Sequence, residues 1–158
     1  MTQLAAGQVG SITALAPADE DAKILVWDAL SCRRLLDLHA VCPLSALTFG
    51  TVDGVEVLAA AEQHGPIRVW DVLSGDELAT LDTAGTIVTA LTVCTHSGTA
   101  TLMAGMRDKT VRAWQLPEGA TRGGVSVEQT PLALSFSPPE TLHVAGSAGL
   151  TTIHHFLP

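Results

Sequence analysis

Short apolar runs alternate with turn-forming residues along this chain, and no segment shows the three-to-four spacing of an amphipathic helix. Between Leu44 and Leu81 the pattern predicts strands at Leu44–Phe49, Val55–Ala61, Ile67–Val72 and Glu77–Leu81. Asp53-Gly54, Gly65-Pro66 and Ser74-Gly75 separate them, supplying residues that tolerate positive φ or fix φ. The same order recurs along the chain. The segments ILVWD, IRVWD and VRAWQ place Trp27, Trp70 and Trp114 at spacings of 43 and 44 residues, and IHHF puts Phe156 42 residues further on. A second marker recurs independently: ITALAP, LSALTF, VTALTV and PLALSF start at Ile12, Leu44, Val88 and Pro131. Two unlike landmarks that keep one period mean a repeated structural unit. Four short strands per period predict one antiparallel sheet, which must stack on its neighbours to bury both faces.

The run VWDVLSG at Val69–Gly75, an aliphatic-x-Val-Trp-Asp segment followed by a Ser-Gly turn, resembles the signature of the WD-repeat family. The resemblance covers nearly the whole chain. It implies an all-β fold, a β-propeller whose blades are four-stranded antiparallel sheets, as a partial or small propeller of about 3.5–4 blades. The Ala-Leu segments would then be inner strands and the Trp segments third strands. Trp27, Trp70, Trp114 and Phe156 would pack between blades, while Asp28 and Asp71 would cap the turns that follow. The family's repeats are often locked by a His before the first strand, a Ser or Thr in the second, an Asp in the turn after it and the Trp. Here only His39 holds the first place, and His64 stands where its repeat would have the Asp. Asp108 holds the turn place in the third unit, Asp21 in the first and Leu150 in the fourth. No complete set is present, so apolar stacking is expected to hold the repeats together.

Counting the units changes the expectation. One domain spanning 1–158 would comprise blades at about 8–38, 44–82, 88–129 and 131–156, the first of them shortened. Leu47 to Trp70 and Leu91 to Trp114 are each 23 residues and Leu134 to Phe156 is 22, but Leu15 to Trp27 is only 12. About eleven residues, one strand and its turn at roughly 3.3 Å each, are absent. The first blade is expected to have lost its second strand, or to have re-used its first strand in that place, leaving Ala16–Lys23 as an acidic link. No outer strand follows the fourth third-strand. By the family pattern Thr2–Ala6 would supply it and close the ring. Three readings stay open: a fragment of a larger propeller, a ring completed by a second chain, and a small ring closed alone. An unclosed propeller exposes sheet faces and edges, so an open chain is not expected to be monomeric.

Composition narrows the function classes. Across 158 residues, 47% are apolar and 15% charged, which excludes a disordered chain. A net charge of −8, with Arg33-Arg34 the only adjacent basic pair, argues against nucleic acid and anionic membrane as partners. No stretch is apolar enough for a membrane helix, and no basic flank precedes an apolar core at the N-terminus. Cys32, Cys42 and Cys94 are odd in number with no C-x-x-C spacing, so they read as reduced, buried thiols in a cytoplasmic protein.

Candidate chemistry is sparse. His39 with Cys42, Cys94 with His96, and the adjacent His154 and His155 are too few in each place to converge on a metal. No motif of a nucleophile, a phosphate-binding loop or a calcium loop occurs, so neither catalytic residues nor a cofactor is expected. Binding then falls to loops on a rigid scaffold. In the family pattern the loops around His39–Pro43, Asp82–Ile87, Glu62–Pro66 and Met106–Lys109 share one face. Gln63, His64, Arg107 and Asp108 are the candidate contact residues there. The expected role is a protein-protein interaction scaffold of unknown partner, with a self-assembling partial propeller, whose partner is a second copy, as the alternative. Small-molecule or enzymatic work in a central channel is disfavoured, because the inner segments offer only Ala, Leu, Thr and Ser.

Overall fold

The computed structural model describes residues 3–137 and 140–156. The first sheet runs in the order β1 (Gln3–Val9), β2 (Ile12–Ala18), β3 (Lys23–Asp28), β4 (Arg34–His39). The second comprises β5 (Leu44–Val52), β6 (Val55–Glu62), β7 (Ile67–Asp71) and β8 (Glu77–Leu81). The third comprises β9 (Val88–His96), β10 (Thr99–Met106), β11 (Thr110–Gln115) and β12 (Ala120–Ser126). The fourth has three strands, β13 (Ala133–Ser137), β14 (Thr141–Gly146) and β15 (Gly149–His154). Each strand pairs antiparallel with the next in its sheet.

One row of paired residues crosses every sheet at the same place. Ala6–Leu15–Trp27, Phe49–Leu58–Trp70, Val93–Leu102–Trp114 and Phe136–Leu142–Ile153 are mutual partners in register. Strand alternation turns the row toward the preceding sheet and its neighbours toward the following one. Trp70 thus shares a core with Ala16 and Val26 of the first sheet. Trp114 does so with Ala59 and Val69 of the second. Leu142 and Ile153 do so with Met103 and Ala113 of the third. Bulky residues from one side meet small ones from the other, which is how stacked sheets interdigitate at native density.

The inner strands come closest together. β1 lies beside β5, β5 beside β9 and β9 beside β13, and among the described residues no contact of that extent joins β13 back to β1. Glycine permits the approach. A Cβ at Gly7 would meet the Phe49 Cβ at 2.5 Å, and one at Gly50 would meet the Val93 Cβ at 2.4 Å. Inner strands gathered about one axis, with successive sheets stacked face to face, make the chain a β-propeller of about four blades.

Three expectations need correcting. The first unit is not shortened: it has four strands, because Gln3–Val9 forms β1 and pairs along its length with β2. The Ala14-Leu15 pair sits in the second strand, opposite Trp27, which is the alternative in which the inner-strand marker is re-used in that place; the loss of the second strand is not what occurs. Of Thr2–Ala6, the segment expected to close the last blade, Thr2 lies outside the described residues and Gln3–Ala6 belongs to this same β1; Ala5, Gly7 and Val9 on alternate positions turn it toward the second sheet. Finally, Phe156 does not take the tryptophan place. Phe136 and Leu142 lie six residues apart where Phe49 and Leu58 lie nine, and Leu142 and Ile153 eleven where Leu58 and Trp70 lie twelve. Ile153 is thereby drawn into the row, and Phe156 packs beyond the strand end against the third sheet's core.

Candidate functional site

The turns between second and third strands are tied to the segments entering each inner strand. Gln63 N–H donates to the Pro43 carbonyl at 2.8 Å, and Arg107 N–H donates to the Ile87 carbonyl at 2.9 Å. In the first sheet the tie runs the other way, from Ala40 N–H to the Ala22 carbonyl at 2.9 Å. These ties gather two sets of loops at one end of the stacked sheets. His64, at φ 57°, holds the left-handed position of its turn.

Around the axis these loops surround a depression of about 560 Å³, whose lining includes Gln3, Gln63, His64, Thr89, Arg107 and Leu132. A smaller hollow of about 230 Å³ continues it between the inner strands, past Ala46, Leu47, Ala90 and Leu91. Three of the four expected contact residues are therefore brought together. Gln63, His64 and Arg107 are exposed at the mouth. Among the described residues Arg107 takes part in no ion pair. Asp108 is not part of this group. Its carboxylate accepts from the Thr110 N–H at 3.1 Å and pairs with Arg112 Nη2 at 3.2 Å, so it caps its own turn.

That pair belongs to a device the family pattern did not disclose. Glu62, 2% exposed, accepts from Arg68 Nε at 2.8 Å and from the Val41 N–H at 3.0 Å. Arg68 also reaches Glu77 at 2.9 Å. Arg112 holds the equivalent place in the third sheet, bonding Asp108 on one side and the Thr83 carbonyl at 3.2 Å on the other. The Thr83 hydroxyl in turn donates to the Gly65 carbonyl at 2.7 Å. An arginine on the third strand, an acid in the turn before it and a loop from the neighbouring unit thus form a polar lock in each central sheet. The sequence signal was present in the repeated Arg68 and Arg112, one residue after Ile67 and Val111. With His64 in the turn place expected to hold aspartate, the acid of that unit sits two residues earlier, at Glu62, which hid it.

The remaining candidates have structural duties. Asp71 accepts from the Leu73 N–H at 2.7 Å, and Asp28 from the Leu30 N–H at 2.9 Å. The Ser31 hydroxyl and these backbone bonds hold the Asp28 carboxyl below the ordinary carboxylate range. In the first sheet Asp19, not Asp21, caps the turn, accepting from the N–H groups of Asp21 and Lys23 at 3.0 Å each. Cys94 is half-buried against the core between the third and fourth sheets, and burial pushes its thiol up to about 11. Cys42 is half-buried, but Cys32 is exposed, contrary to the expectation of buried thiols, because it holds a left-handed turn position at φ 55°. His96 and His155 meet Glu140 at 3.8 and 2.5 Å, linking the third and fourth sheets at the end away from the mouth. Among the described residues no three His, Cys, Asp or Glu side chains are placed to hold a metal.

No family model matches the chain. No curated protein matches it either. Its fold is similar to that of the computationally designed Ika4 protein, at 21% identity and a TM-score of 0.73, over 96% of this chain and 89% of that one. It is similar to the computationally designed Ika8 protein with the same identity and TM-score, over 96% of this chain but only 45% of that chain.

Proposed function

We infer that this chain is a protein-interaction scaffold built of WD-type repeats, presenting its partner-binding surface at the loop-lined mouth. One observation carries the reading. Gln63, His64 and Arg107 come from two separate turns, yet converge on a single depression with an arginine that has no ion partner among the described residues. Such an arginine on a rigid loop frame favours a partner that brings a carboxylate, which a guanidinium can grip with two parallel hydrogen bonds. Amide and imidazole groups beside it supply orientation. On this reading the chain is a cytoplasmic binding module. It is not an enzyme, uses no cofactor, and binds neither nucleic acid nor membrane, in keeping with the net charge of −8. The WD assignment rests on the repeated Trp-Asp segments and on turns that Asp28 and Asp71 cap.

The test is selection of displayed peptides on the intact chain, with counter-selection on a Gln63→Ala, His64→Ala, Arg107→Ala variant whose circular dichroism matches the parent. Peptides rich in Asp or Glu that bind the parent and lose at least about tenfold on the variant support the reading. Peptides that bind both proteins equally overturn it.

A further inference from the structure

The junction between sheets is repeated three times within the chain, and both of its halves recur, unjoined, at the two ends of the stack. On the outward side of the first sheet the row Ala6–Leu15–Trp27 is incompletely covered. Leu15 and Trp27 are half-buried, whereas Leu58 and Leu102 are 0% exposed and Trp70 and Trp114 only 5% and 4%. Leu4, beside the row, is 66% exposed. The outward side of the fourth sheet offers the matching set. Its His143 and Thr152 are register partners, as Ala59 and Val69 are in the second sheet and Met103 and Ala113 in the third. Those earlier pairs lie in the cores that receive the next sheet's row.

The inner strands repeat the same fit. Gly7 receives Phe49, Gly50 receives Val93, and Cys94 lies in the core that holds Phe136. Ser137 is the next in that series, and Ala6 is the row residue that remains without a seat. None of Ser137, Thr141, His143, Ala145, Leu150 and Thr152 is an Asp, Glu, Lys or Arg, so no fixed charge would be stranded by covering them.

We propose that two copies of this chain join head to tail, the first sheet's outward face of each packing on the fourth sheet's outward face of the other. Trp27 then lies over the partner copy's Thr152 and His143, and the two junctions close a ring of eight sheets. The arrangement keeps inner strands inside and all binding mouths on one face, as every junction within the chain does. Packing two first-sheet faces on each other would repeat no junction the molecule contains. This inference is independent of the mouth's binding role.

Mass measurement in solution, by light scattering and native mass spectrometry, tests it on the intact chain and on two exposed-face variants, Ala6→Arg and Thr152→Arg. The parent should be a dimer at micromolar concentration, and each variant alone a folded monomer, its dimerisation weakened on the order of 100-fold. Mixing the two variants leaves one junction intact, so a heterodimer should reappear. A parent that stays monomeric overturns the proposal, as do open-ended polymers. Dimers that survive Thr152→Arg but not Ala6→Arg, with no rescue on mixing, would show first-sheet faces packed on each other instead. Trp27→Ala guards against misfolding as the cause: it adds no charge and should weaken the dimer while leaving the monomer's circular dichroism unchanged.

Discussion

Trp27 and Trp70 stand at the same place in the same motif, each opposite a leucine on the neighbouring strand, yet their surroundings differ. Trp70 is enclosed by the first sheet's Ala16 and Val26. Trp27 faces outward and is half-buried. The motif therefore specifies a position in the sheet, and the sheet before it decides what that position is worth. The largest test substitutes each in turn, in the Ala6→Arg background so that association does not intervene. Trp70→Ala should cost about 3–5 kcal/mol, the range for a core aromatic, seen as a lowered midpoint in denaturant. Trp27→Ala should cost about 1 kcal/mol, because most of the cavity term is missing where one side is open. Equal costs would mean that something already covers the first sheet's outward face.

Central and terminal sheets differ in their polar locks as well. Arg68 and Arg112 anchor the two central sheets, and their places in the outer sheets are taken by Leu25 and Thr151, which cannot bridge to a turn acid. Glu62→Ala should cost about 2 kcal/mol, since it removes the buried charged acceptor that holds both the Val41 N–H and one side of Arg68. The cost stays below the full penalty for a broken buried pair, because Arg68 keeps Glu77 and reaches solvent. Asp19→Ala, at the corresponding turn of the first sheet, should cost under about 1 kcal/mol, its bonds being exposed. Urea titration of both variants measures the difference.

The inner strands allow a smaller contrast. Gly50→Ala forces a Cβ against Val93, a contact no relaxed structure tolerates, and overpacking of this kind costs about 1–3 kcal/mol. Ser137→Ala, on the outward side of the fourth sheet, should stay within about 0.5 kcal/mol. Thermal melting of the two variants side by side is sufficient to read it.

Much of this was legible in the sequence, for a physical reason. Strand alternation and turn residues are local, so β8 at Glu77–Leu81 was bounded at both ends and the four-unit repeat stood out. Convergence of Gln63, His64 and Arg107 followed from equivalent turns in equivalent units. What escaped was non-local. β1 is built of Leu, Ala, Gly, Gln and Val with no motif of its own, and its small residues make sense only against Phe49. The Ala14-Leu15 pair matched the inner-strand marker in sequence while pairing as a second strand, and only register separates those roles. Ile153 replaced Phe156 because both connections of the fourth sheet are shorter, by three residues between β13 and β14 and by one between β14 and β15, which counting back from the tryptophans does not detect.

The smallest effect concerns the outer-strand residue opposite each tryptophan. It is Glu77 for Trp70 but Arg34 for Trp27. A hydrogen bond from the Thr80 hydroxyl, aided by Arg68, holds the Glu77 carboxyl below its ordinary range. A group depressed in this way adds stability above its unfolded value and loses it as pH falls through the folded one. Glu77 lies at the surface, so solvent screening limits the contribution to a few tenths of a kcal/mol at most. Stability measured from neutral pH down through the carboxylate range should therefore fall slightly less for Glu77→Gln than for the parent. Added salt should shrink the gap, since part of it is the attraction of Arg68. A gap that is unchanged in salt would assign the whole effect to the Thr80 hydrogen bond.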